Sequence, residues 1–196
     1  MSDLILASTS RYRRELLERL RLPFTVEPPQ VDETPLAGET PRAAAVRLAR
    51  AKADAIAARR PAALVIGSDQ TATLDGATII GKPGGHQQAS AQLQAASGRT
   101  MVFHTALALV RAADGFVDER VVETRVRFRI LTDREIEAYL QAEQPYDCAG
   151  SAKSEGLGIT LLEAIEGPDP TALVGLPLIA LTAGLRRASR SPLARG

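Results

Sequence analysis

The sequence predicts an α/β fold: one twisted sheet of mixed strand direction, flanked by helices. Three observations predict it. Apolar runs of strand length are interleaved with amphipathic runs of helix length. Asp-Gly pairs at 75–76 and 114–115 stand where antiparallel neighbours would turn back. The run "VETRVRFRI" alternates apolar and charged residues, as a strand with one solvated face does.

Bulk composition narrows the field. A chain of 196 residues, 45% apolar and 24% charged, suits a single domain, taken as 1–196, with a proper core. The formal net charge of +1 argues against a protein that coats nucleic acid, so no stable nucleic-acid partner is expected. The one cysteine, Cys148, excludes an internal disulfide and fits a reducing compartment. No apolar run reaches membrane-spanning length, and "MSDLILASTS" lacks the basic start and long apolar stretch of a signal peptide. The expectation is a cytoplasmic protein without a membrane partner; a homodimer is compatible with the sequence.

The elements follow in order. Leu4, Ile5 and Leu6 read as a buried strand, and Leu16, Leu17 and Leu20 as one face of a helix. "RLPFTVEPPQVDETP" is extended, its prolines blocking helix and Val26 and Val31 available for burial. "TPRAAAVRLARAKADAIAARRP" is the clearest helix: Thr40 caps it, Pro41 suits its first position and Pro61 follows its end. Ala45, Leu48, Ala49, Ala53 and Ile56 share its apolar side. "ALVIGSDQTATLDGATIIGKP" reads as a strand, a two-residue turn and a returning strand. An unbroken ladder from Leu74–Ala77 runs through Thr71–Ile80 and Gln70–Gly81 to Asp69–Lys82, with opposed Cβ atoms about 5 Å apart. "HQQASAQLQAASG" is a helix ending at Gly98. "TMVFHTALALV" and "VETRVRFRI" are long strands joined around Asp114-Gly115, the second setting Val122, Thr124, Val126, Phe128 and Ile130 against Glu123, Arg125, Arg127 and Arg129. "TDREIEAYLQAE" opens with a capping box from Thr132 to Glu135, and Leu173 to Arg187 reads as a last strand, turn and helix.

Several residues carry chemistry. The start of the first helix offers unpaired N–H groups, and Ser8, Ser10, Arg13 and Arg14 add hydroxyls and guanidinium groups around them. This is an anion site, or else a capped helix with a solvated basic turn. Of 24 basic residues only Lys52, Lys82 and Lys153 are lysines, which marks them as positions that need an ammonium group. Lys52 falls on the apolar side of its helix, so it is read as aimed into a polar site within the fold. Asp69 ends an apolar strand, where α/β sheets present ligands; it binds a metal, activates water or forms a structural ion pair. Asp32 and Glu33 offer hard oxygen ligands for Mg²⁺. "CAGSAKSEGLG" packs small residues around Lys153 and Glu155. His86 and His104 lack partners at metal-ligand spacing and are read as structural, and Cys148, without a visible base, as a small core residue. Neither GxxxxGK[ST] nor GxGxxG occurs, and no Ser-His-Asp arrangement is visible. The combination favours polyphosphate chemistry over acyl transfer.

Seven segments, "LASTSRYRRELL", "VDET", "LARAKA", "IGSDQ", "GKP", "AGSAKSEG" and "DPTALVGLPL", resemble in order the signature segments of the Maf family of nucleoside triphosphate pyrophosphatases, from Leu4 to about Leu185. The resemblance implies a fold like that of inosine triphosphate pyrophosphatases, with two lobes around a nucleotide cleft. It implies hydrolysis of a nucleoside triphosphate to monophosphate and pyrophosphate with a divalent cation (Mg, Mn or Co). By motif, Ser8, Arg13, Lys52 and Lys82 would hold phosphates, Asp69 would be the proton acceptor, and Glu33 with Asp69 would hold the metal.

"SDQ" followed by "SAKSEG" is similar to the branch acting on 7-methyl-GTP, and implies house-cleaning of modified nucleotides. In that branch Tyr12, Gln70, Lys153 and Glu155 would set specificity: Tyr12 stacking on the cationic base, Glu155 accepting from the guanine edge and Gln70 reading another polar edge. Two residues depart from the family pattern, Arg11 where proline is usual and Tyr12 where the branch carries tryptophan. The alternatives are the dTTP/UTP branch, a nucleotide-sensing regulator of cell division without catalysis, and a nucleic-acid binder using the arginines of 11–21.

Overall fold

The computed structural model describes residues 3–193. Among them are six strands in one sheet and five α-helices: β1 (Leu4–Ala7), α1 (Arg11–Glu18), β2 (Thr25–Glu27), α2 (Pro41–Ala57), β3 (Leu64–Thr73), α3 (His86–Ala96), β4 (Thr100–Arg111), β5 (Phe116–Phe128), α4 (Asp133–Glu143), β6 (Leu162–Glu166) and α5 (Leu178–Arg187). The spatial order is β2-β1-β3-β4-β5-β6. β2, β1 and β3 run parallel, and β3 through β6 are antiparallel, so the sheet is mixed as the sequence predicts. Among the described residues no helix is long and apolar enough to cross a membrane.

Local sequence explains the helices. Thr40 accepts the Ala43 N–H and Pro41 opens α2; Thr132 and Glu135 close a complete capping box on α4. Ala45, Leu48, Ala49, Ala53 and Ile56 all face inward on α2. The alanines let this helix lie almost on the backbone of β3. Gly67 marks the tightest point, where an added Cβ would stand 2.1 Å from the Ala49 carbonyl oxygen and 2.8 Å from the Ala53 nitrogen.

Three apolar clusters hold the layers. Leu4, Leu6, Leu64, Ile66, Leu107 and Leu109 meet Leu16 and Leu17 of α1 and Leu181 and Leu185 of α5 on one face. Ile5, Ala7, Val65, Ala106 and Ala108 meet α2 on the other. Beyond the end of β1, Ala72, Met101, Phe103, Val126 and Phe128 pack under α3 and α4. The crossover helices α1 and α2 thus leave β1 and β2 on opposite faces, which makes the β1/β3 junction a topological switch point, where ligands bind in open α/β sheets. β1 ends opposite Gly67, while β3 continues to Thr73. From Ser68 to Thr71 one edge of β3 has no strand beside it, and a crevice opens there.

Some expectations change. The Asp75-Gly76 turn does not return a ladder. The Asp75 carboxylate accepts the N–H groups of Ala77 and Thr78 and the Thr78 hydroxyl, which holds it well below the usual carboxylate range and takes those donors out of pairing. One bridge remains, Ala72–Ile80, offset by a residue from the expected Thr71–Ile80, and Asp69 is not paired with Lys82. The alternation in β5 stops at Phe128, after which Ile130 lies 81% exposed. Residues 173–187 form a short 3₁₀ turn and α5 with no strand; the extra strand is β6, whose "LLEAIE" lacks clear alternation. Val26 sits exposed on the short edge strand β2, Val31 is half-buried, and Leu20 lies just past the end of α1.

Close packing at Gly67 yields a prediction. Gly67→Ala drives a methyl group into the α2 backbone and lowers stability by about 3 kcal/mol in a urea titration. A loss below about 1 kcal/mol would mean that α2 can lift from β3 without consequence.

Candidate active site

The crevice at the open edge of β3 has a volume of about 920 Å³. Its walls come from the segment after β1, the first turn of α1, the extended chain near Glu33, α2, β3, the chain 79–82, the 146–155 segment and the 173–175 turn.

Lys52 forms its charged floor. Its side chain is only 5% exposed, and Nζ lies 2.6 Å from Asp69 Oδ1 and 2.8 Å from Glu33 Oε1. A buried ammonium group is tolerated when carboxylates surround it in this way. Burial pushes the Glu33 carboxyl up, but the hydrogen bond and charge of Lys52, with Lys82 and Arg13, outweigh it and leave the pKa below its ordinary value. Lys82 is exposed at the rim.

Arg13 approaches from α1. Its Nε donates to the Gly175 carbonyl at 2.9 Å and its Nη1 to Ser8 Oγ at 3.5 Å. Burial lowers its pKa, against the opposing charges of Asp69 and Glu33, and a guanidinium group remains protonated under any such shift. Ser8 Oγ also accepts the Ser10 N–H, and Ser10 Oγ the Arg13 N–H, so both hydroxyls already serve the backbone of this turn. The Gly175 carbonyl is held in turn by the Ser68 hydroxyl at 3.0 Å. Gly175 has φ +117°, the left-handed region that favours glycine. Buried Asp169 anchors this turn by accepting from the Thr171 hydroxyl and from the Ile179 and Ala180 N–H groups at the start of α5.

The other expected residues divide. Gln70 lines the crevice, but its Nε2 is committed to Thr105 Oγ1 and the carbonyls of Ala172 and Leu173, so its amide oxygen is the end left for a ligand. Tyr12 lines the crevice with the Arg11 guanidinium 4.7 Å from its ring centroid and Lys153 Nζ 6.0 Å away. Arg11 also donates to the Tyr12 hydroxyl, at 2.7 Å. Glu155 is an exposed wall residue, whereas the Lys153 ammonium is bound to Glu143 at 2.6 Å. His86 bridges Tyr146 and Glu137 at the surface, and neither it nor His104 lines the crevice.

Cys148 is a correction. It is half-buried on the crevice wall instead of sitting in the core, with Sγ 3.9 Å from the Tyr12 hydroxyl and 3.5 Å from Asp147 Oδ1. Sequence reading also missed Asp147, Gly175 and Asp169. Their one visible signal was the clustering of proline and turn residues in "QPYDC" and "DPTALVGLPL".

Among the described residues no three His, Cys, Asp or Glu side chains stand close enough to hold a metal by themselves. The donor set is two carboxylates facing a crevice. That is the arrangement Mg²⁺ uses when phosphate oxygens and water complete its coordination.

Fold and crevice together define an α/β protein with a charged ligand site at a sheet switch point. The family profile described as Maf-like protein matches residues 3–188, and the chain belongs to that family. It is 67% identical over 188 residues to a protein of Burkholderia thailandensis, covering 94% of this chain and 87% of that one. Identity is 61% over 185 residues with a protein of Cupriavidus metallidurans, covering 94% and 92%. With a protein of Thiobacillus denitrificans it is 64% over 179 residues, covering 91% and 89%. Each of these relatives is named 7-methyl-GTP pyrophosphatase.

The surroundings of Cys148 predict its reactivity. Burial first, then the neighbouring Asp147 charge, push the thiol up to about 12. At pH 8 its alkylation by iodoacetamide should be about 100-fold or more slower than that of a free cysteine. Alkylation at the free-thiol rate would show an open, solvated thiol.

Proposed function

We propose that this protein hydrolyses 7-methyl-GTP to 7-methyl-GMP and pyrophosphate. The observation that carries the reading is the buried Lys52 ammonium between Asp69 and Glu33, facing Arg13 across a nucleotide-sized crevice in a Maf-family chain. The choice of substrate follows the names of relatives at 61–67% identity.

Binding comes first. Lys52, Arg13 and Lys82 receive the triphosphate, with the Ser8 hydroxyl beside Arg13. Three cations against two carboxylates leave one net positive charge, too little to neutralise a triphosphate. A divalent cation fits this deficit: Glu33 and Asp69 would hold it with phosphate oxygens, and bound there it would supply charge neutralisation at the reacting phosphate. Mg²⁺, Mn²⁺ and Co²⁺ are the proposed candidates.

Chemistry is an in-line displacement. A water oxygen forms a bond to the α-phosphorus, the bond from that phosphorus to the α,β-bridging oxygen breaks, and pyrophosphate leaves with the electron pair. Asp69 takes the proton that the water gives up. Lys52, 2.6 Å from Asp69, keeps that carboxylate oriented before attack. Arg13, fixed by Gly175, stabilises charge developing on the phosphate oxygens.

Tyr12, Gln70 and Glu155 line the crevice, and in this reading they receive the base. An electron-rich ring favours the cationic 7-methylguanine, and Glu155 accepts from its N1–H and 2-amino group. The proposal places the enzyme in the cytoplasm, clearing modified nucleotides without a stable nucleic-acid partner, and admits a homodimer.

Two outcomes test this. Presented with 7-methyl-GTP, GTP, dTTP, UTP and ITP with Mg²⁺, the enzyme should cleave 7-methyl-GTP with the highest kcat/KM. Preference for dTTP or UTP would overturn the base assignment, and no pyrophosphate with any nucleotide or metal would leave a nucleotide sensor. Asp69→Asn should lower kcat by about 10²–10⁴-fold while the circular dichroism spectrum stays that of the wild type. Near wild-type turnover in that variant would remove Asp69 from the chemistry.

A further inference from the structure

The segment 151–157 is tied to α4 at several points. Tyr139 and Glu143 stand one helical turn apart on the same face of that helix. The buried Tyr139 hydroxyl donates to the Ser151 carbonyl at 3.1 Å and accepts the Lys153 N–H at 3.0 Å. Burial raises its pKa, so the hydroxyl keeps its proton and remains a donor. Glu143 uses both carboxylate oxygens: Oε1 accepts from Lys153 Nζ at 2.6 Å and Oε2 from the Leu157 N–H at 2.8 Å.

The chain is shaped to allow this. A Cβ at Gly156 would stand 2.7 Å from Glu143 Oε2, and one at Gly158 would stand 2.6 Å from both the nitrogen and the oxygen of the Lys153 backbone. Glu155 sits between the two points that Glu143 grips, residues 153 and 157, and is itself exposed on the crevice wall. The gripped Lys153 ammonium also stands 6.0 Å from the Tyr12 ring centroid.

We infer that Glu143 is a positioning residue for base recognition, holding Lys153 and Leu157 so that Glu155 presents its carboxylate to the guanine edge. The inference rests on the reading of Glu155 as the residue that meets that edge. It gives Lys153, which the sequence had placed among the residues that set specificity, the part of a brace between α4 and the Tyr12 side of the crevice. A free loop would have to be ordered each time a nucleotide bound, and a clamped one has met that entropy beforehand.

The test compares KM and kcat for 7-methyl-GTP and for 7-methyl-ITP, which lacks the 2-amino group. Glu143→Gln should raise KM for 7-methyl-GTP about tenfold, keep kcat within about threefold and shrink the preference over 7-methyl-ITP. Adding Lys153→Gln to that variant restores a neutral hydrogen-bonded pair and should recover most of the preference. Unchanged preference in Glu143→Gln overturns the inference, as does an equal loss with both nucleotides, which a merely structural role would give. Glu155→Gln separates the two layers. If it leaves the preference intact, the reading of Glu155 has failed; if it abolishes the preference and Glu143→Gln does not, the clamp alone has failed.

Discussion

A single ammonium group on the inner face of α2 organises the molecule. Lys52 sits on a helix face otherwise made of proline, alanine, leucine and isoleucine, and Asp69 and Glu33 both reach its ammonium group there. Breaking such an arrangement by removing one partner leaves a stranded charge, at a cost of several kcal/mol. The pairing therefore constrains three distant stretches at once: the helix, the strand β3 and the extended chain that carries Glu33. The alanines of α2 and Gly67 of β3 bring the helix and the strand that carry Lys52 and Asp69 into near contact.

Sheet topology decides where this charge can be used. β1 stops opposite Gly67, and β3 runs on with one edge open, so Asp69 is packed against α2 yet still faces a crevice. The same termination brings the start of α1, with Arg13, to the opposite wall. Arg13 is then fixed by a carbonyl whose position depends on the left-handed Gly175 and on Asp169 at the head of α5. Many polar groups in the crevice are engaged with one another, Lys52 with Asp69 and Glu33, Arg13 with Gly175 and Gln70 with Thr105, and such contacts preorganise a site.

Much of this was legible in the sequence, and the reasons differ by residue. The periodicity of α2 exposed Lys52 as a cation on an apolar face, and the capping residues Thr40, Thr132 and Glu135 marked real helix starts. Asp69 was visible as an acid ending an apolar run. Its partner was not, because the turn at Asp75 was read from backbone propensity alone. The Asp75 side chain took the N–H groups that a two-residue hairpin needs, the register moved, and Lys52 instead of Lys82 became the counter-charge. Cys148, Asp147 and the hold of Glu143 on Lys153 depend on how an irregular segment folds back on α1 and α4. No periodicity encodes such contacts between segments far apart in the chain.

The central claim is that Lys52 couples the two carboxylates to the phosphates of the substrate. The most direct measurement is the kcat/KM for 7-methyl-GTP of Lys52→Met, made on protein whose circular dichroism spectrum matches the wild type. Methionine fills nearly the same space without the charge. The account predicts a fall of more than about 100-fold, from loss of phosphate binding and of the charge that orients Asp69. A folded Lys52→Met enzyme within about tenfold of the wild type would contradict it, and would reduce the ion triad to a structural feature of the core.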